Sequence, residues 1–502
     1  MHPKGTTSTT LGVMVALVLT VTGCGSSESE ASADELRIAD PGFLLALDSD
    51  DGQSGYAMIG YGIAETLMRV DNEMRIQPWI AESADWIDPL TLKVTLRDDV
   101  TFWDGSEVDA EAVMASFERS LERNPAAASV LPEGTRFEAS GNELTIVTKE
   151  PVGALINNLA SYHLVVKKES EGGDPVYTGA YQPEDHVANE SVRLVAHEGH
   201  RDPPDVGSLF VRHIADENTR RLALEAGDVD IAYDVLPTSG KSLETAGFKV
   251  VSSPTANQIM MLLNSNRKPL DDPAVRQALS LAIDRDGLVQ AVLEGVGTPA
   301  EGIVQTELGI EGVQELYRHD MDEAATVLEE AGWVAGADGV RERNGERLQL
   351  TLSYYTQRAQ LEPIATILQG ELGKAGFEIE VENVADIVTA VAENDFTATL
   401  WSATTVATGD VGPFLAANYA PGADRHKSKR LEDLVAEYLS VSDAERRLEI
   451  FGEIQSVAAE EVPLIPLVHP EKLVATTEAA AGRFTPHPLE NYRFTPGFSI
   501  HD

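Results

Sequence analysis

Apolar residues recur along this chain at two periods, and the two periods take turns over most of its length. Leu92, Val94 and Leu96 alternate with Lys93, Thr95 and Arg97, the period-two signature of a half-buried strand. Leu144 and Ile146 flank Thr145 in the same way, and Leu348, Leu350, Leu352 and Tyr354 repeat the pattern. Phe377, Ile379 and Val381 alternate with Glu378, Glu380 and Glu382, and Phe396, Ala398 and Leu400 predict one more strand. Helices are punctuated at their ends. Asp272 suits an N-cap, and Pro273 suits the first helical position, where its missing N–H would have no partner anyway. Val275, Leu279 and Ala282 then share one face. Asp320 with Glu323 has capping-box spacing, and Gly332 suits the left-handed residue beyond a helix end. Asp109 starts a helix carrying Val113, Phe117 and Leu121; Asp443 starts one carrying Leu448, Phe451, Ile454 and Ala458. Interleaved strands and helices predict an α/β architecture.

The N-terminus breaks this pattern. Lys4 precedes an apolar run from Leu11 to Val21, too short to span a bilayer easily, and Thr22, Gly23 and Cys24 follow. This reads as a signal-peptide core ending in small residues. It resembles a bacterial lipobox, in which the cysteine is lipidated and becomes the mature N-terminus. The alternative is a secreted protein with a stray cysteine. Cys24 is the single cysteine among 502 residues, so the body has no disulfide and core burial must hold it. Residues 1–23 are therefore expected to be removed. Residues 24–34, small, polar and acidic, are expected to be a flexible tether. The rest, long enough for two or three domains, would sit lipid-anchored at the outer face of the cytoplasmic membrane.

The formal net charge is −44. Nucleic acid is excluded as a partner, because phosphate repels such a surface, and tight adhesion to anionic lipid is disfavoured. A dispersed acidic surface favours solubility. Motifs with catalytic or cofactor potential fail on inspection. Val235 stands where a phosphate loop ending Gly240-Lys241-Ser242 needs its first glycine, so Pro237 to Lys241 reads as an ordinary turn. Gly60-Tyr-Gly62-Ile-Ala-Glu65 lacks the third glycine of a dinucleotide fingerprint. His197 and His200 are three apart rather than four, with Gly199 weakening a helix, so a loop with two solvated histidines is expected rather than a zinc site. No Gly-x-Ser-x-Gly elbow is present, and no cofactor is expected.

Several stretches, in order, resemble the family 5 extracytoplasmic solute-binding proteins of peptide and nickel ABC importers. They are Phe102-Trp-Asp-Gly105 with Val108 to Val113; Tyr177-Thr-Gly-Ala-Tyr181, with Ala180 in place of a proline; Arg220 to Ile231; Asp272 to Arg285; Ala331-Gly-Trp333; and Glu461 to Pro466. Together they span most of residues 36–500. Each also has a reading that needs no ligand. Phe102 and Trp103 would anchor the core beside a turn, Gly227 would end a helix ahead of a strand Val229–Ile231, and Arg276 and Arg285 would form ion pairs. The resemblance implies a two-lobed periplasmic-binding-protein-like α/β fold, type II-like, with a hinge and an interlobe cleft. The implied division is lobe I over 35–254, with 480–502 returning to it, and lobe II over 255–479. The crossings are expected near Ser253 to Gln258 and Thr476 to Gly482. The implied function is non-enzymatic: a monomer closes on a small solute, a short peptide or a metal chelate, and hands it to ABC permease subunits.

The segment Trp401 to Asp410, the turn Arg341 to Gly345 and His426 resemble the nickel-type branch; Ser161-Tyr162-His163 lacks the arginine that branch can show. The solute stays open between a short peptide, a nickel chelate and an amphiphilic cation. Candidate pocket residues are Tyr56, Arg123, Tyr162, His163, Trp401, Thr404, Thr405, Asn418, Arg425 and His426, with His426 also a candidate metal ligand. Trp401 could equally pack in a core, Arg123 cap its helix end, and His426 lie in a solvated loop. A secreted α/β hydrolase and a solute-sensing receptor without transport are the competing functions.

Overall fold

A computed structural model describes residues 35–42, 46–50, 54–310, 312–314, 316–483, 486–489 and 491–493. Cys24, the signal segment and the tether lie outside the described residues. Two large sheets organise the chain. The first has seven strands, in the order Tyr181–Val187, Ser191–Ala196, Ser208–His213, Glu35–Asp40, Ile231–Val235, Lys472–Thr476 and Lys249–Ser253. The other has six: Gly297–Pro299, Leu464–Pro470, Asn257–Leu263, Ala398–Thr404, Gln349–Tyr354 and Glu378–Asn383. A four-stranded antiparallel sheet, including Thr91–Leu96 and Glu143–Val147, completes the first lobe. Its Leu92, Val94, Leu144 and Ile146 share one apolar core with Leu36, Ile38 and Leu209 of the seven-stranded sheet.

The period-two stretches form strands because each has one face to bury. Thr91–Leu96 alternates half-buried and buried residues along its length. Asn257–Leu263 is buried at nearly every position, as a central strand should be, so its apolar run is continuous rather than alternating. The carboxylates of Asp109, Asp272, Asp320 and Asp443 each accept a backbone N–H in the first turn of their helices. Gly227 ends the helix Glu217–Ala226 at φ +77°, a left-handed position that favours glycine. The strand after it begins at Ile231, two residues later than expected; Asp230, just before it, is tied to Arg37. Its carboxylate takes Arg37 Nε at 3.0 Å and Nη2 at 2.8 Å.

Other expectations change. Pro237 to Lys241 is the start of a helix, Pro237–Thr245. Pro237 stands in its first turn, Leu243 is buried, and Gly240 lets the helix approach Leu473, whose Cδ1 would lie 3.0 Å from an added Cβ. Arg276 and Arg285 do not form the expected ion pairs; they bind backbone carbonyls. Arg276 donates to Glu461 O (2.9 Å) and Leu270 O (2.8 Å), and Arg285 to Pro466 O (2.8 Å). His200 is not solvated but buried. It meets Glu65 Oε1 at 3.2 Å and Asp202 O at 2.7 Å. Burial opposes the charge on Glu65, yet Arg201 and His200 hold its carboxyl down to about 2.

The chain passes from the first sheet to the other between Ser253 and Asn257 and returns between Pro470 and Lys472. The return comes earlier than the expected Thr476 to Gly482, because Lys472–Thr476 already pairs with Ile231–Val235 and Lys249–Ser253 in the first lobe. The two crossings touch: Thr255 Oγ1 donates to Pro470 O at 2.7 Å. Residues 486–489 and 491–493 brace the first lobe, where His487 Nε2 lies 3.2 Å from Val70 O and Arg493 pairs with buried Asp40. No helix among the described residues is long and apolar enough to cross a membrane.

Candidate functional site

On the first lobe, three of the candidate residues come together. The helix Ser54–Gly60 carries Tyr56, whose ring meets Tyr162 edge-on at a centroid distance of 5.5 Å and an interplanar angle of 90°. Tyr162 and His163 lie 4.0 Å apart, centroid to centroid. Gly55 permits the close approach, since a Cβ there would sit 2.6 Å from Tyr162 O. The segment leading to this helix is pinned from beneath. Tyr177 O–H donates to Leu47 O and accepts from Ser49 N–H, both at 3.0 Å. The buried Lys167 ammonium pairs with Asp48 at 2.5 Å and Asp50 at 2.8 Å.

His163 is oriented by Asn124, which caps the helix Ala110–Arg123. The Asn124 amide lies 3.2 Å from His163 Nδ1, so the amide donates and the imidazole proton resides on Nε2. Burial lowers the His163 pKa and raises that of Tyr162. At neutral pH this rim therefore offers an uncharged imidazole and a protonated phenol. Arg123 is not drawn into it. It lies half-exposed in the last helical turn, 3.5 Å from Glu169.

The second lobe holds the other candidates. Trp401 is half-buried in the strand Ala398–Thr404, with Tyr355 at 5.8 Å, and Tyr355 Oη accepts from Ser402 N–H at 3.3 Å. Thr404 is exposed two residues on from Ser402 and donates to Asn257 Oδ1 at 3.0 Å. Thr405 belongs to the hinge rather than to a pocket. It is buried, and its N–H and hydroxyl both donate to Ala256 O, at 2.8 and 3.1 Å.

Asn418, Arg425 and His426 form a separate interior cluster. Arg425 donates to Asn418 Oδ1, while Asn418 Nδ2 donates to Phe414 O at 2.8 Å. His426 Nδ1 lies 2.9 Å from Ser265 Oγ and Nε2 2.9 Å from Glu461 Oε2. Burial keeps this imidazole neutral despite Glu461, so Nε2 donates to the carboxylate, while the Ser265 hydroxyl beside Nδ1 also donates to Arg425 O at 3.1 Å. His426 is thus held in the interior by Ser265 and Glu461 and is no solvated loop residue. Among the described residues no three His, Cys, Asp or Glu side chains are grouped to hold a metal ion. Tyr355 and Asn124 were missed from sequence. The Tyr354-Tyr355 pair ending an alternating strand and the Asn124-Pro125 step ending a helix were their signals.

Two lobes joined by two crossings, each holding an aromatic pair, have the architecture of a two-lobed solute-binding protein. The family described as bacterial extracellular solute-binding proteins, family 5 Middle, matches residues 75–425, and the chain belongs to it. It binds solute and is not an enzyme. The nickel-binding protein NikA of Staphylococcus aureus is 24% identical over 496 residues, covering 97% of this chain and 96% of its own. The glutathione-binding protein GsiB of Salmonella paratyphi A is 29% identical over 445 residues, covering 82% of this chain and 83% of its own. Among solved structures, a nickel ABC transporter protein from Bacillus halodurans aligns with a TM-score of 0.83 at 29% identity, covering 92% of this chain and 99% of that one.

Proposed function

We propose that this protein captures a small amino-acid-like solute between the Tyr56–Tyr162–His163 rim and the Trp401–Thr404 rim and presents it to an ABC permease. The solute is a short peptide, or a nickel ion already wrapped in amino-acid ligands. The observation that carries the reading is that each of two lobes joined by two chain crossings holds an aromatic pair, Tyr56–Tyr162 on one and Tyr355–Trp401 on the other. Aromatic faces contribute area at little entropic cost, and the uncharged His163 and Tyr162 add hydrogen bonds without a fixed charge. In this reading a metal arrives with its own chelator. NikA and GsiB, by name, bind nickel and glutathione. Cys24 serves in this reading as the lipid-bearing anchor that keeps the binder near its permease. A Cys24→Ser protein then appears in the medium while binding the same solute.

Thermal unfolding of the mature protein tests the solute. The panel is glutathione, dipeptides, nickel with two equivalents of histidine, and nickel alone. A cognate solute at a hundredfold its Kd stabilises by about 2.7 kcal/mol. One or more amino-acid-like probes should raise the unfolding temperature, and nickel alone should not. Stabilisation by free nickel without a chelator, or by nothing in the panel, contradicts the proposal.

A further inference from the structure

The lobes also meet away from the two crossings, and there the contact is made by backbone. Gly153 of the first lobe donates its N–H to Leu439 O of the second at 2.7 Å. The three atoms nearest the missing Cβ of Gly153 are Val441 O, Val441 C and Arg447 Nη1, all in the second lobe, and a methyl group there would overlap them. Gly153 does not have a left-handed φ, so alanine suits its own backbone; only the partner lobe excludes it. Nearby, Asn157 Nδ2 donates to Thr408 O at 3.0 Å. Gly409, at φ +72°, brings its Cα so close to Met74 that a Cβ would lie 2.7 Å from Met74 O.

Both sides of this contact are anchored within their own lobes. On the first, Asn158 Nδ2 donates to Val130 O at 2.9 Å and Leu159 O accepts from Met68 N–H at 3.2 Å. On the second, the receiving carbonyls are held in place by Arg447. Its guanidinium donates to Tyr438 O (2.7 Å) and Val441 O (3.2 Å), pairs with Asp410, and lies 4.0 Å over the Tyr438 ring. Tyr438 O–H donates to the same carboxylate at 3.1 Å. Neither side waits for a solute to form.

We infer that Gly153, with Asn157 and Gly409, is a latch that sets solute affinity without touching solute. It rests on the reading of the cleft as the place where solute is captured. Solute affinity is the intrinsic affinity of the closed arrangement scaled by the fraction of protein able to adopt it. A latch that favours closure raises that fraction for every solute alike. A substitution at Gly153 therefore weakens binding uniformly and leaves the order of preference among solutes unchanged.

The test compares wild type, Gly153→Ala and Asn157→Ala. Small-angle X-ray scattering of the solute-free proteins reads lobe separation. Titration with glutathione and with nickel plus two equivalents of histidine reads affinity. Gly153→Ala should enlarge the radius of gyration while unfolding near the wild-type temperature. It should weaken whichever probe binds by about tenfold, with Asn157→Ala changing both in the same direction by less. The scattering needs no solute, so it decides the latch even where neither probe binds. Should Gly153→Ala unfold outright, Asn157→Ala decides alone. Scattering curves and affinities equal to wild type in the folded variants would overturn the latch.

Discussion

As sequence, the Tyr162–His163 pair of the first lobe and the Arg425–His426 pair of the other are alike, each a histidine beside a larger polar residue. The structure separates them by what their hydrogen-bonding groups have left to do. His163 uses Nδ1 for Asn124, and its Nε2 has no protein partner among the described residues. His426 uses both nitrogens, and its neighbour Arg425 is committed to Asn418. Residue type made both pairs candidates; spare capacity leaves only the first able to meet a ligand. His469 and His487 extend the other kind, buried and held neutral, with pKa values pushed down to about 4 by burial.

The buried histidines give the largest effect. Both imidazoles titrate near 6.5 in an unfolded chain and at about 4 in the folded one, so the unfolded state binds more protons between those values. Their contribution is whole above pH 6.5 and falls as pH drops toward 4, by up to about 1.4 kcal/mol per pH unit for each. Glu65, whose folded value is about 2, loses its contribution only below about pH 4.5 and so does not mask this window. Chemical denaturation at pH 7 and pH 5 should show a clear loss at the lower value. Equal stability at both would place these histidines in contact with water.

Arg425→Ala comes next. It leaves buried Asn418 Oδ1 without its donor, and should lower the unfolding free energy by about 1–3 kcal/mol while the folded variant keeps its solute affinity. A loss of affinity at unchanged stability would return Arg425 to the pocket. His163→Ala should do the reverse. The half-buried ring on the rim should cost under about 1 kcal/mol of stability, read by denaturant titration, yet weaken solute binding by about tenfold. An affinity equal to wild type would reduce His163 to a packing residue.

The strands around Leu92, Leu144 and Leu350 were legible because one buried face imposes a period of two, and the helices because carboxylate caps act within three residues of themselves. The return crossing was not. Glu471 alone separates two apolar strands, so they read as one run, and only pairing with Ile231–Val235 and Lys249–Ser253 shows where the sheet changes. The fates of His200 and His426 were hidden for a related reason. Their partners, Glu65 and Glu461, lie 135 and 35 residues away, and no local pattern encodes such a meeting. Tyr56 and Tyr162, 106 residues apart (162 − 56), were both legible as candidate pocket residues, but their edge-on contact was not.

Native mass spectrometry of protein purified without denaturation, alongside a Tyr162→Ala/Trp401→Ala variant, tests most directly whether solute is held between the two rims. Wild type should carry a small molecule of amino-acid-like mass, with or without nickel, and the folded double variant should carry none. The same mass retained on both proteins would place the solute elsewhere and contradict the account.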